Sequence, residues 1–230
     1  MKNPAAGGGR WVDVSPERLV SWIVTFTQRH GPGSVWRDES GTAVTFTAAD
    51  GAAAECHPPF PPLSPAARPD PGPAAAAAAM AAHAMADRTV GVLLVRLGGY
   101  AVGVFAGSPP RLENSKVGSR PVHGRSAAGG WSQHRFARRR ENQAATAIRA
   151  AADAAARTFA PYDLDALVLG GDKRSAAGLR GDPRLAPYLA RATDRFLTVP
   201  RPRLAVLKEM PTAFGAIRIR LTEPESDMPQ

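Results

Sequence analysis

The chain has 230 residues, enough for one ample domain or two small ones with a proper core. Its 29 basic and 20 acidic residues leave a net charge of +9, and its one cysteine, Cys56, excludes an intrachain disulfide. No stretch reaches the roughly twenty apolar residues of a bilayer span, no Cys/His cluster has zinc spacing, and MKNPAAGGGRW lacks the apolar core of a signal peptide. The expectation is therefore a cytoplasmic protein, monomeric, with no metal, cofactor or membrane partner.

Residues 1–9 read as a flexible tail. Trp11 to Val14 predict a short strand, and Ser15 is placed to cap a helix opening at Pro16, where the missing proline N–H costs nothing. Leu19, Trp22, Ile23 and Phe26 recur at helical spacing and predict a core-facing stripe that ends before Gly31. Ala43–Thr47 and Ala52–Cys56, joined through Asp50-Gly51, predict a hairpin. A Pro-rich connector over 57–73 leads into an alanine-rich helix from Ala74 to about Ala86.

Thr89–Arg96 and Tyr100–Ala106, divided by Gly98-Gly99, predict a second hairpin, to which Arg111–Val117 adds a third antiparallel strand. From about His134 a long helix runs to Phe159. Phe136, Ala144, Ile148, Ala155 and Phe159 fall on one face; Arg135, Arg138, Arg139, Asn142 and Arg149 fall opposite. Asp165–Leu169 predict a buried strand, with a turn at Gly170-Gly171 and helical pieces around Ser175 and Leu185–Ala192. Phe196–Val199 and Ala216–Leu221 are the last strand candidates, with a helix over Arg203–Met210 between them and a frayed tail over 223–230. Hairpins followed by alternating helix and strand predict an α/β fold, a mixed sheet flanked by helices, in a single domain over 10–222.

The charge is focused. Nine cations but only two acids, Glu113 and Glu141, lie between Arg111 and Arg149, which points to a polyanionic partner such as nucleic acid. Inside that window His123 to Gln143 reads HGRSAAGGWSQHRFARRRENQ. Gly124, Gly129 and Gly130 free the backbone for positive φ and close approach to a ligand, and the glycines and like charges of Ser119–Ser132 predict a loop that is mobile without RNA.

The ordered series His123-Gly124-Arg125, Gly129-Gly130, Gln133 and Arg135-Phe136-Ala137-Arg138 with Arg140 resembles the middle domain of archaeal and eukaryotic class-one translation release factors. There a Gly-Gly-Gln triggers peptidyl-tRNA hydrolysis. Here Trp131 and Ser132 separate the glycine pair from the glutamine, so Gly130-Trp131-Ser132-Gln133 is similar instead to the Gly-x-x-Gln of the Vms-like release factors, peptidyl-tRNA hydrolases of ribosome-associated quality control. The resemblance implies a ribonuclease-H-like architecture and an enzyme that acts on peptidyl-tRNA stranded on a large ribosomal subunit. The length leaves no room for the codon-reading and C-terminal domains of the release factors.

It also implies residue roles. Water attacks an activated ester, so the protein supplies position and oxyanion stabilisation instead of a strong nucleophile. Gln133 is the donor, through its main-chain N–H, its carboxamide or both; Gly129 and Gly130 let the loop fold tightly, and small Ser132 avoids obstruction. Arg125, Arg135, Arg138, Arg139 and Arg140 meet ribosomal RNA or tRNA phosphate. Trp131 has two readings, stacking on a base or a packed anchor. His123 fits a structural or phosphate-facing role better than that of a base. Cys56, with no activating surroundings in the sequence, fits a hairpin thiol better than a nucleophile.

Two competing functions remain at this level. A ribonuclease-H-like fold can cut tRNA if carboxylates converge on metal ions, for which Glu113, Asp165 and Asp172 are the candidates. A non-catalytic ribosome- or RNA-binding module is the other.

Overall fold

Proline and glycine set the limits of the first elements as the sequence suggests. The computed structural model describes residues 3–4, 8–63, 72–96, 98–119 and 132–224, with side chains of 3–4 and 132–142 excepted. In chain order the elements are β1 (Asn3–Pro4), β2 (Arg10–Val14), α1 (Pro16–His30), β3 (Gly33–Arg37), β4 (Val44–Ala48), β5 (Ala53–His57) and α2 (Pro73–Ala84). There follow β6 (Val90–Arg96), β7 (Gly99–Ala106), β8 (Arg111–Ser119), α3 (Ser132–Phe159), β9 (Ala166–Gly171), α4 (Lys173–Gly178), α5 (Ala186–Leu189), α6 (Leu204–Lys208), α7 (Met210–Gly215) and β10 (Ile217–Thr222). The chain divides into two compact units, one of residues 1–86 with 215–230 and one of residues 87–214.

The first unit holds a six-stranded antiparallel sheet in the order β1-β2-β10-β5-β4-β3. One face is apolar by strict alternation: Val14, Phe46, Cys56, Ile217 and Ile219 share a buried cluster with Leu19, Ile23 and Phe26 of α1 and with Met80 of α2. The hairpin turn forms as expected, with Gly51 at φ 89° and the Asp50 carboxylate accepting the Ala52 N–H at 2.9 Å. Gly31, at φ 88°, stops α1 and donates its N–H to the Thr27 carbonyl at 2.9 Å.

Three details differ from the sequence reading. Ser15 stands at the N-cap of α1, but its side chain makes no capping bond, and the first turn carries Glu17 instead to complement the helix dipole. β3, not foreseen, is an edge strand paired only with β4 among the described residues, and its Trp36 is 61% exposed, so its sequence carries little burial signal. Part of the expected N-terminal tail, Asn3–Pro4, pairs with β2.

The second unit holds a mixed sheet in the order β8-β7-β6-β9, with β9 parallel to β6 and the other pairs antiparallel. The parallel pair needs a crossover, and α3 provides it. Leu93, Val95, Val102 and Val104 form one face and pack with Ala151, Ala152, Ala155 and Phe159 of α3. The other face is covered by α6 and α7: a Cβ on Gly103 would lie 3.0 Å from Leu207, and Phe105 meets the Phe214 ring edge-on at 5.7 Å. This is the α/β arrangement expected, a mixed sheet flanked by helices.

Here too the structure corrects the reading. Gly170 and Gly171 are the last residues of β9 and do not form a turn. A Cβ on Gly170 would stand 2.6 Å from the Leu197 carbonyl, and one on Gly171, at φ 108°, 2.0 Å from that of Val95; the glycines permit close backbone approach. Phe196–Val199 is no strand: Leu197 alone bridges to Gly170, donating to the Leu169 carbonyl and accepting from the Gly171 N–H, and Pro200 follows at once. The single helix expected over Arg203–Met210 is two, because Pro211 restarts the chain at the head of α7.

Candidate nucleic-acid interface

Strand register decides what stands beside the motif. Val95 pairs with Gly171, Arg96 with Gly99, and Gly99 with Ser119. The C-terminal ends of β6 and β9, the start of β7 and the end of β8 therefore share one edge of the sheet, from which the chain enters the segment 120–131. That segment carries His123, Arg125, Gly129, Gly130 and Trp131 and lies outside the described residues, as does the expected mobility of the loop.

α3 connects this edge to the far one. Its last residue, Phe159, is fully buried, and a Cβ on Gly91 near the start of β6 would stand 3.3 Å from the Phe159 ring. The 28 residues of α3 span about 42 Å, whereas the seven of β6 span about 23 Å. With its end fixed beside the start of β6, the helix overruns the loop edge by roughly 19 Å. Its packing pattern agrees: Ala147, Ala151, Ala152, Ala154 and Ala155 are buried, while Ala144 and Ile148 are half-buried. Arg149 is exposed. Alanine on the packed face lets the helix axis approach the sheet closely.

The helix starts two residues earlier than its periodicity suggests, so Ser132 and Gln133 are its first residues and Arg135, Arg138, Arg139 and Arg140 occupy its first three turns. Their side chains, like that of Phe136, lie outside the described residues. The backbone placement matters chemically, because the first N–H groups of a helix have no intrahelical acceptor and carry the positive end of its dipole.

The same edge bears cations that the sequence reading did not include. Asp172 donates its N–H to the Val95 carbonyl at 3.0 Å, and Lys173 and Arg174, both exposed, follow it at the head of α4. The Arg96 guanidinium donates to the Val199 carbonyl at 2.9 Å, and a Cβ on Gly99 would stand 3.7 Å from Pro202, so exposed Arg201 and Arg203 flank the same spot. Charge density along the sequence hides these five, since no element carries more than two of them.

The carboxylates proposed for metal chemistry do not converge. Glu113 is the extra residue of a bulge, between Leu112 paired with Phe105 and Asn114 paired with Val104. Asp165 precedes β9 and accepts the Thr89 N–H at 2.7 Å, whereas Asp172 follows it and accepts the Ser175 N–H at 2.7 Å and hydroxyl at 2.8 Å. The two stand at opposite ends of β9, roughly 20 Å apart along the strand. Among the described residues no group of three or more His, Cys, Asp or Glu is arranged to hold a metal. Cys56 is fully buried in the first unit, and burial, reinforced by Glu55, pushes its thiol pKa far up, so it stays a protonated core side chain. No helix among the described residues is long and apolar enough to cross a membrane.

Comparison with known proteins adds the family. The family model described as Actinobacteria/chloroflexi VLRF1 release factor matches residues 88–220, which is more than half of the chain and takes in nearly the whole second unit and most of β10. Two solved structures are similar to it. One is the archaeal translation termination factor aRF1, 12% identical, covering 87% of this chain and 56% of its own, with a TM-score of 0.36. The other is described as an archaeal protein, 13% identical, covering 71% of this chain and 48% of its own, with a TM-score of 0.33. The chain thus spans about half the length of the solved structures it matches. None of the curated proteins matches it in sequence. On the match over 88–220, the chain belongs to the Actinobacteria/chloroflexi VLRF1 release-factor family.

Proposed function

We propose that this protein hydrolyses the ester of peptidyl-tRNA and so frees nascent chains from stalled large ribosomal subunits, in ribosome-associated quality control. The observation that carries the reading is the Gly130-Trp131-Ser132-Gln133 word with its following arginines, inside the region matched by the release-factor family. The second unit would be the catalytic part: its strand order, three antiparallel strands and a parallel fourth reached through a long helix, supports the ribonuclease-H-like architecture of release-factor middle domains.

Water adds to the ester carbonyl, the oxyanion collapses, and the ribose oxygen leaves with a proton. Gln133, at the head of a helix that overruns the sheet, donates a hydrogen bond to the developing charge through its amide, backbone or both. One such donor in a dry cavity is worth about 3–4 kcal/mol. Gly129 and Gly130 let the preceding chain fold beside it, Ser132 leaves the approach open, and Trp131 either stacks on a base or packs as a hydrophobic anchor. Arg125, Arg135, Arg138, Arg139 and Arg140 hold phosphate, which positions the helix without entering the chemistry.

The test is peptide release from stalled large-subunit complexes by wild type and Gln133→Ala. Release by wild type, reduced about 10²- to 10³-fold in the variant, is the expected result. Equal release by both removes Gln133 from the mechanism, absence of release by wild type leaves a binding module, and shortened tRNA identifies a nuclease.

A further inference from the structure

We infer that the loop edge of the second unit is a second phosphate-binding surface, made by Arg96, Lys173, Arg174, Arg201 and Arg203, which docks on the backbone of ribosomal RNA beside the motif helix. The inference rests on the reading that the protein works on ribosomal complexes, but it concerns binding and not hydrolysis.

Geometry brings these residues together. Gly99, Arg96 and Gly171 lie on three adjacent strands, so the edge between them is about 10 Å wide. Lys173 and Arg174 continue from Gly171 through Asp172, and Arg201 and Arg203 flank Pro202 beside Gly99. Asp172, a carboxylate at this edge, is turned to the N-cap of α4, where it accepts two hydrogen bonds from Ser175. Arg96 is held by the Val199 carbonyl, which fixes the direction of its charge without neutralising it.

The far edge is different. There Asp163 takes the Arg191 guanidinium at 2.5 Å, a pairing that raises the arginine pKa, and Asp165 stands beside both Arg88 and Arg191. Arg184, beside the last third of α3, is likewise bound by Asp182 at 2.6 Å and Asp153 at 2.7 Å. Among the described residues Lys173, Arg174, Arg201 and Arg203 have no ion-pair partner. Exposed, unneutralised cations gathered within reach of one another attract a polyanion, and a phosphate backbone releases counterions at each contact. Because α3 projects past this same edge with its own arginines, the two sets would extend one positive surface.

The experiment measures binding to purified large ribosomal subunits and to protein-free large-subunit ribosomal RNA over a series of salt concentrations. Changing Lys173, Arg174, Arg201 and Arg203 together to glutamine should lower the slope of log affinity against log salt by about 3, at roughly 0.7–0.9 per lost contact. The double variant Arg201→Gln/Arg203→Gln should lose about half of that. Arg111→Gln/Arg157→Gln, a control that removes two exposed cations at the far edge, should keep the wild-type slope. Gln133→Ala should keep it too, so loss of hydrolysis and loss of docking separate. A wild-type slope in the fourfold variant overturns the inference, and so does an equal loss per charge in the control. An effect seen with intact subunits but not with protein-free RNA would assign the edge to an acidic ribosomal protein and equally overturn it. All variants should melt with the wild type, and the double variant decides the question if the fourfold one does not fold.

Discussion

Asp38 is a carboxylate whose partners are all local: Ser40 and Thr42 donate their hydroxyls to it, and the Ala43 N–H adds a bond at 2.9 Å. Burial works to raise its pKa, but the hydrogen bonds to the ionised form outweigh it and hold the group at about 2. Because the folded value lies below the unfolded one, the stability it contributes is present above about pH 4 and is lost as pH falls towards 2. Asp38→Asn should therefore destabilise the protein near neutrality, and the gap from wild type should close between pH 4 and 2 in thermal melts. A constant gap across that range would show that the bonds do not depend on the charge. Gly171 makes a sharper demand: with φ at 108° and a would-be Cβ 2.0 Å from the Val95 carbonyl, Gly171→Ala should cost about 3 kcal/mol or more. Its melting point, compared with that of Gly51→Ala, which adds a Cβ into open space at similar φ, separates crowding from backbone strain. Single residues of the motif were legible as a word in the sequence, whereas Arg96, Lys173 and Arg201 were not, because register and not sequence spacing brings them together.

At the scale of elements α3 was the most legible, since a long amphipathic pattern is a strong signal of helix. It is longer than the strands it packs against. Changing Arg135, Arg138 and Arg139 together to glutamine should weaken binding to the large subunit and lower the salt slope by about 2, with the melting point unchanged. An unaltered slope would make these a solvated face. The inner part of α3 behaves differently: Phe159 is fully buried against Tyr188, with ring centroids 5.3 Å apart, and Phe159→Ala should cost about 3–5 kcal/mol by denaturant unfolding. Elements with weak periodicity were the ones misread. Phe196–Val199 has the composition of a strand but is bordered by prolines, and β3 shows its largest side chain to solvent. The apolar run predicts β9, but its last two residues read as a turn in sequence, because glycine serves reversal and close approach alike.

At the scale of the molecule, sequence order and spatial order part company. β10 comes last in the chain, yet it lies between β2 and β5 in the sheet of the first unit and inserts Ile217, Ile219 and Leu221 into its core. Sequence reading saw a strand there but had no means of placing it, since pairing partners more than 150 residues apart leave no local trace. Each of those three side chains contributes about 1.5–3 kcal/mol by burial. A protein ending at Gly215 should accordingly lose the amide-exchange protection of β2 and β5 while β6 and β9 of the second unit keep theirs; retained protection in β2 would show that the sheet closes without its last strand. The arrangement also bears on synthesis. A ribosome makes β2 and β5 well before β10, so two strands with bare hydrogen-bonding edges wait for the one that joins them. Any copy cut short before Ile217 keeps those edges open, and an open strand edge is a template for pairing with another chain.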